Sequence, residues 1–420
     1  MTQEPFRPRP SRPGRRRRAA LAAGILAALA CTPAPFGAVA FATVPAASAS
    51  APEGGGGNGG EYRDAAPLPV PEGAETGPSG PGPAASPGFG AYLDYGPRGI
   101  ERMSGFARWL GGREPTVGHT YLPGDVWANI EGRPSFLADW ARWRRAKPQR
   151  TLVLNVPMLD RNEAWLPDPL VARKLRKGAR GDYDEHFRAL ARRLVSLGVP
   201  DTVLVLGWEM NGTTYAHRCG PDPEAWKHYW NRIAGAMRSV PGQKFRFDFT
   251  PARGKDAIGW TECYPGDDTV DIIGMDSYDQ PKDMDFDRQI SEPYGLQDHV
   301  DFAKDHGKPV SYPEWGLFRN GDNTEYMRRM IAWMAAHPPL YQTLSDYCPH
   351  GVWQCGSNRA AAEVYRAAFS AGARTPGEQE SGESAPGEDE NAGCLPVDLG
   401  GWFQSRFGGR LCVRFSWLRD

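Results

Sequence analysis

Between residues 89 and 370 short apolar runs alternate with longer stretches of helical period, and no other feature of the chain restricts its fold as strongly. Apolar runs lie near 90–95, 115–121, 151–158, 202–209, 245–251, 271–278, 309–316 and 340–346. Helical periodicity is clearest at 182–197, 223–240, 292–306, 323–337 and 357–370. The helix at 223 carries its own start signal, Asp222 as N-cap followed by Pro223 at the first helical position. Strands that alternate with helices form a parallel sheet wrapped by those helices. A doubly wound open sheet would show the same alternation, but no Gly-rich phosphate loop follows the first strand. The expected fold is therefore of the α/β class, a (β/α)8 TIM barrel, and the stretch has about the length such a barrel needs.

The rest of the 420 residues reads as appendages. Arg15 to Arg18, the apolar Ala19 to Ala30 and the small residues Ala47-Ser48-Ala49 make residues 1–49 an export signal. Its apolar run is shorter than a spanning helix requires. The Gly- and Pro-rich residues 50–88 and the acidic residues 371–393 cannot bury enough apolar surface to offset ordering entropy, so both read as linkers. They flank a catalytic-domain candidate at 89–370, and a small cysteine-containing segment at 394–420 ends the chain. Removal of the signal takes Cys31 with it and leaves six cysteines, an even number that in an exported chain points to disulfides. Cys348 with Cys355 and Cys394 with Cys412 are sequence neighbours, which leaves Cys219 with Cys263. No CxxC pair or His-x3-His cluster suggests a metal site, and no cofactor is expected. A formal charge of −1 gives no reason to expect nucleic acid or an anionic membrane as partner. The chain is expected to be secreted, monomeric and free of the membrane once its signal is removed.

Glycosidic bonds are most often cut by two carboxyl groups, one protonating the departing oxygen and one attacking or activating water. In a (β/α)8 barrel such groups belong at the C-terminal ends of the strands. Two acids sit there: Glu209 ends TVLVLGWE and Glu314 ends PVSYPE. They are 314 − 209 = 105 residues apart, three strand-helix repeats of roughly 35, which puts them on strands four and seven.

GWEMNG at 207–212 resembles the acid/base motif of glycoside hydrolase family 26, PEWG at 313–316 resembles its nucleophile strand, and VDIIGMDSYD at 270–279 resembles its sixth strand. The resemblance spans roughly residues 89–370. It implies a retaining double displacement with Glu314 as nucleophile and Glu209 as general acid/base, their carboxyls about 5–5.5 Å apart. It also implies that Glu209 is held protonated, that Glu314 is kept ionised by hydrogen bonds, and that Tyr278 donates one of those bonds. The family usually has His before the acid/base and its clan Asn, whereas this chain has Trp208, which puts mannanase specificity in doubt. Trp208 either stacks on a sugar ring or packs the barrel.

Further candidates for the cleft each have a structural alternative. Asn211 binds a sugar hydroxyl or caps the following turn. His119 contacts substrate or makes a buried hydrogen bond. Asp94 and Asp276 grip hydroxyls or pair with an arginine such as Arg253. Trp315 and Trp353 form stacking platforms or belong to the core. The functional expectation is a secreted endo-β-glycanase acting on an extracellular polysaccharide such as β-mannan, β-glucan or β-xylan. A catalytically silent carbohydrate-binding barrel, or a hydrolase of the producer's own exopolysaccharide or wall glycan, would have much the same sequence.

Overall fold

The computed structural model describes residues 87–371, together with the backbone of two further strands, Cys394–Val397 and Leu411–Arg414, which pair antiparallel. The signal segment, nearly all of both linkers and the cysteine side chains at 394 and 412 lie outside the described residues, while Gly88, read as linker, begins the first strand.

Eight parallel strands close into a barrel surrounded by helices, as the alternation of periods requires. In chain order they are Gly88–Tyr92, Val117–Tyr121, Thr151–Val156, Val203–Leu206, Arg246–Phe249, an interrupted sixth strand (Ile272–Gly274 and Ser277–Tyr278), Val310–Gly316 and Tyr341–Ser345. Each pairs with its sequence neighbour. The ring closes where strand one runs alongside strand eight, Gly88 opposite Tyr341 through Tyr92 opposite Ser345. The third and fourth strands end earlier than their apolar runs, so Glu209 stands three residues beyond its strand rather than at its tip.

The expected helices are present at Asp184–Ser196, Pro223–Arg238, Leu296–Asp305, Thr324–Ala336 and Arg359–Phe369. Asp222 does cap the second of these, its carboxylate accepting from the Ala225 backbone N–H at 3.1 Å. Helices at Pro97–Trp109, Phe136–Arg145 and Asp168–Ala179 complete the early repeats.

Because side chains alternate along a strand, every second residue enters the barrel, and successive inward positions step from floor to mouth. The floor is apolar, built from Val117, Val153, Val203, Val205, Ile272 and Tyr341, a cluster separate from the larger core between sheet and helices. A polar ring stands beside it. Buried Asp248 accepts from Ser311 Oγ (2.6 Å), the Tyr341 hydroxyl (2.6 Å) and Thr250 Oγ1 (2.9 Å). Gly274 faces this ring: a Cβ there would lie 2.5 Å from both Asp248 Oδ1 and Thr250 Oγ1. Two residues further along strands two, three and eight, His119, Asn155 and Thr343 are joined by hydrogen bonds, and above them the acids gather.

Two disulfides, Cys219–Cys263 and Cys348–Cys355, join segments that follow strands four, five and eight. No described helix is long and apolar enough to cross a membrane.

Candidate active site

Strand four stops at Leu206, and the chain then enters a left-handed turn with φ of +59° at Gly207 and +50° at Glu209. Such a conformation costs a non-glycine residue roughly 1–2 kcal/mol and persists only where the surroundings fix it. Here the Glu209 N–H donates to Thr250 O (2.8 Å), Gly207 N–H to Val156 O (3.0 Å), and His217 Nε2 to Trp208 O (2.9 Å). Burial keeps His217 neutral by pushing its pKa down to about 3, which leaves Nε2 as the donor and Nδ1 without a partner. Glu209 is almost fully buried at the end of this turn, and its charge acts on the same Tyr215 and Tyr347 side chains as that of Glu314.

Glu314 enters the mouth from strand seven and is held by side chains from three other strands. The Tyr278 hydroxyl donates to Oε2 at 2.6 Å, Asn155 Nδ2 approaches Oε1 at 3.4 Å, and the Tyr121 hydroxyl also donates. Since the Tyr278 proton is committed to Glu314, the Ser345 hydroxyl 2.6 Å away donates to Tyr278. Asn155 is oriented in turn by His119: with its amide nitrogen toward the carboxylate, its Oδ1 accepts from His119 Nε2 at 2.8 Å. Burial lowers the His119 pKa to about 4, so the imidazole is a neutral donor. Burial also pushes the Glu314 carboxyl above its ordinary range, and the three donors offset part of that rise.

The two carboxylates share one field. Tyr215 is pushed up by burial first and then by the charges of both Glu209 and Glu314, and both charges also raise Tyr347. A third acid stands with them. Asp276 is buried with neither oxygen hydrogen-bonded, and desolvation followed by the charges of Glu314, Glu209 and Asp248 pushes its carboxyl well above the usual range.

Other expectations change. Asn211 is fully buried and spends its amide on backbone: Nδ2 donates to Ala252 O (2.9 Å) and Gly254 O (3.2 Å), and Oδ1 accepts from Ala252 N (2.9 Å). It braces the turn after Glu209 and has no donor left for a sugar. His119 is equally buried and acts through Asn155. Trp315, one residue from an inward glutamate, points outward; its Nε1 donates to Gln342 Oε1 (2.6 Å) and its ring meets Tyr365. Trp353 packs its ring on Gly105 and Phe106 of the first helix. Trp208 is 4% exposed and wedged among Tyr121, Tyr215 and His217, so it packs the wall and offers no face to a ring. Asp94 pairs with Arg102 at 3.4 Å. Arg253 pairs with Glu292, leaving Asp276 without a cation.

Sequence reasoning passed over Tyr121 and Asn155, which touch Glu314, and Tyr92, Tyr215 and Tyr347 around them. Tyr121 and Asn155 occupy the last inward positions of strands two and three, a signal that alternation carries. Among the described residues no group of three or more His, Cys, Asp or Glu is placed to hold a metal.

The sequence pattern of glycosyl hydrolase family 26 matches residues 191–311. No curated protein sequence matches the chain. The fold is similar to the catalytic domain of a Bacillus sp. JAMB-750 endo-β-1,4-mannanase, at 15% identity over 68% of this chain and 87% of that one, TM-score 0.50. A Cellulomonas fimi endo-β-1,4-mannanase double mutant aligns at 17% identity over 62% of this chain and 64% of that one, TM-score 0.49. A Bacillus subtilis mannanase aligns at 14% identity over 72% and 89%, TM-score 0.47.

Proposed function

We propose that this protein is a retaining glycoside hydrolase of the family 26 type, which hydrolyses β-mannan-type polysaccharides by double displacement. The observation that carries the reading is the convergence of Glu209 and Glu314 on one mouth, with Glu314 held by three hydrogen-bond donors. Glu314 attacks the anomeric carbon and forms a glycosyl ester, while the Glu209 carboxyl gives its proton to the departing glycosidic oxygen. Glu209, now ionised, takes a proton from water as that water displaces Glu314 from the anomeric carbon. The Tyr278, Tyr121 and Asn155 donors hold the Glu314 oxygens in line for attack, a positional task that suits rigid strands better than loops. β-Mannan is favoured among glycans because the aligned Bacillus sp. JAMB-750 structure bears the name of an endo-β-1,4-mannanase. An export signal at residues 1–49 and two described disulfides favour an exported enzyme, and we take it to act as a monomer.

Reducing-sugar release from a panel of β-mannan, β-glucan, β-xylan and the producer's own envelope glycan tests the reading. Glu209→Ala and Glu314→Ala are each expected to lose turnover by roughly three orders of magnitude or more. Azide should partly rescue Glu314→Ala with inverted product. Binding without release from any glycan, or wild-type rates in either variant, would overturn it.

A further inference from the structure

Four large apolar side chains stand well exposed among the described residues: Tyr347 (40%), Tyr95 (43%), Val126 (49%) and Trp165 (52%). All four lie in loops leaving the C-terminal ends of strands, in order strands eight, one, two and three, which are consecutive around the barrel. The acids follow strand four and sit on strand seven. A line between them divides the ring into a narrow side of strands five and six and a wide side of strands eight, one, two and three. Every one of these exposed apolar groups is on the wide side.

The loop that carries Trp165 is fastened to the acid/base loop. Asn162 accepts from the Ala216 N–H through its carbonyl (2.7 Å) and from the His217 N–H through its side chain (3.4 Å), and its own N–H donates to Gly124 O (2.9 Å). One residue thus joins the loops after strands two, three and four. Trp165 itself has φ of +51°, a conformation that a bulky residue adopts only when its surroundings impose it. Glu163, beside it in the loop, lies close enough to Tyr215 for its charge to be felt there, and Tyr215 in turn feels Glu209. The indole is therefore presented to solvent on a fixed support that adjoins the catalytic mouth.

We propose that the wide side of the mouth is an extended track for a pyranose chain, with Trp165 as an outer stacking platform beyond the reacting sugar. The axial C–H face of a hexopyranose lies flat on an indole, and Glu163 and Asp125 on the adjoining rim are acceptors for its hydroxyls. The proposal rests on the glycosidase reading and adds a subsite that only long chains reach.

The test compares wild type, Trp165→Ala and Trp165→Phe on β-1,4-mannohexaose and on an aryl mannobioside, with mannohexaose affinity measured by calorimetry. Because Trp165 is half exposed, Trp165→Ala should keep the wild-type melting temperature. It is expected to raise KM for the hexaose roughly five- to twenty-fold while leaving the aryl mannobioside unchanged, and Trp165→Phe should recover most of the loss. Equal effects on long and short substrates, or none on either, overturn the track. A wild type that binds the hexaose without cutting it sinks the hydrolase reading, and the calorimetric arm then still decides on Trp165. No binding and no cleavage overturns both.

Discussion

Removing the Tyr278 hydroxyl gives the sharpest check on how Glu314 is held. Tyr278→Phe deletes a 2.6 Å hydrogen bond to Oε2 and keeps the ring that packs against His350. A hydrogen bond to a charged group contributes roughly 1.5–3 kcal/mol. At about 1.4 kcal/mol per pKa unit, its loss should raise the Glu314 pKa by about 1–2 units, because the lost donor favoured the ionised form. Burial has already raised that pKa, so the change adds to an existing rise. In the proposed mechanism Glu314 attacks only when ionised, hence kcat/KM falls as pH drops below its pKa, and the acid limb of the profile should move to higher pH. On the acid side the variant should be slower by roughly 10- to 100-fold, with the deficit shrinking as pH rises. An aryl glycoside with a good leaving group is the right substrate, since its departure needs no proton from Glu209 and the limb then reports Glu314 alone. Asn155→Ala should shift the limb less, because its 3.4 Å hydrogen bond is much longer and weaker than the 2.6 Å bond from Tyr278. An acid limb that stays in place in Tyr278→Phe, or a rate loss equal at every pH, would refute the assignment of Tyr278 as the main donor to Glu314.

Two stability effects follow from the barrel wall. His299 is buried, with its pKa lowered to about 4 by desolvation, and its Nε2 donates to Ile273 O. A depressed folded pKa gives stability that is present above the unfolded value of about 6.5 and lost as pH falls toward 4, so His299→Gln should flatten the pH dependence by about 1.4 kcal/mol per pH unit in that window. Urea unfolding of both proteins between pH 7 and 4.5 measures the slopes, and parallel slopes would refute the claim. Gly274→Ala drives a Cβ against Asp248 and Thr250 in the polar ring and should cost roughly 1–3 kcal/mol. An unchanged unfolding midpoint would show that the ring gives way without strain.

The strands were legible because they depend on local period, and a run of apolar residues that ends in a carboxylate marks a barrel strand and the place of an acid at its C-terminal end together. The partners of Glu314 were harder to see. Asn155 is 159 residues away and meets Glu314 only because sheet register brings strands three and seven to the same height. For Trp315, left between a stacking platform and the core, strand alternation decides: its neighbour Glu314 faces inward, so Trp315 turns toward the helices. Of the two readings for Asn211, sugar contact or support of the following turn, the structure favours the second, since a turn with left-handed φ at two positions needs a brace and the amide supplies it. The helix at Pro97–Trp109 is less clear in the sequence even though Pro97 marks its first turn, because Gly99 and Gly105 interrupt its apolar stripe.

Both described disulfides fasten segments that leave the catalytic ends of strands four, five and eight, and neither ties one strand to another. The cylinder is held by backbone pairing and by packing of helices on the sheet, none of which depends on redox state. A cell that makes this chain in a reducing compartment therefore obtains the cylinder before its rim is secured. On the proposed function, oxidation secures the end where the polysaccharide would bind, and a reductant added later should lower turnover before it lowers the unfolding midpoint.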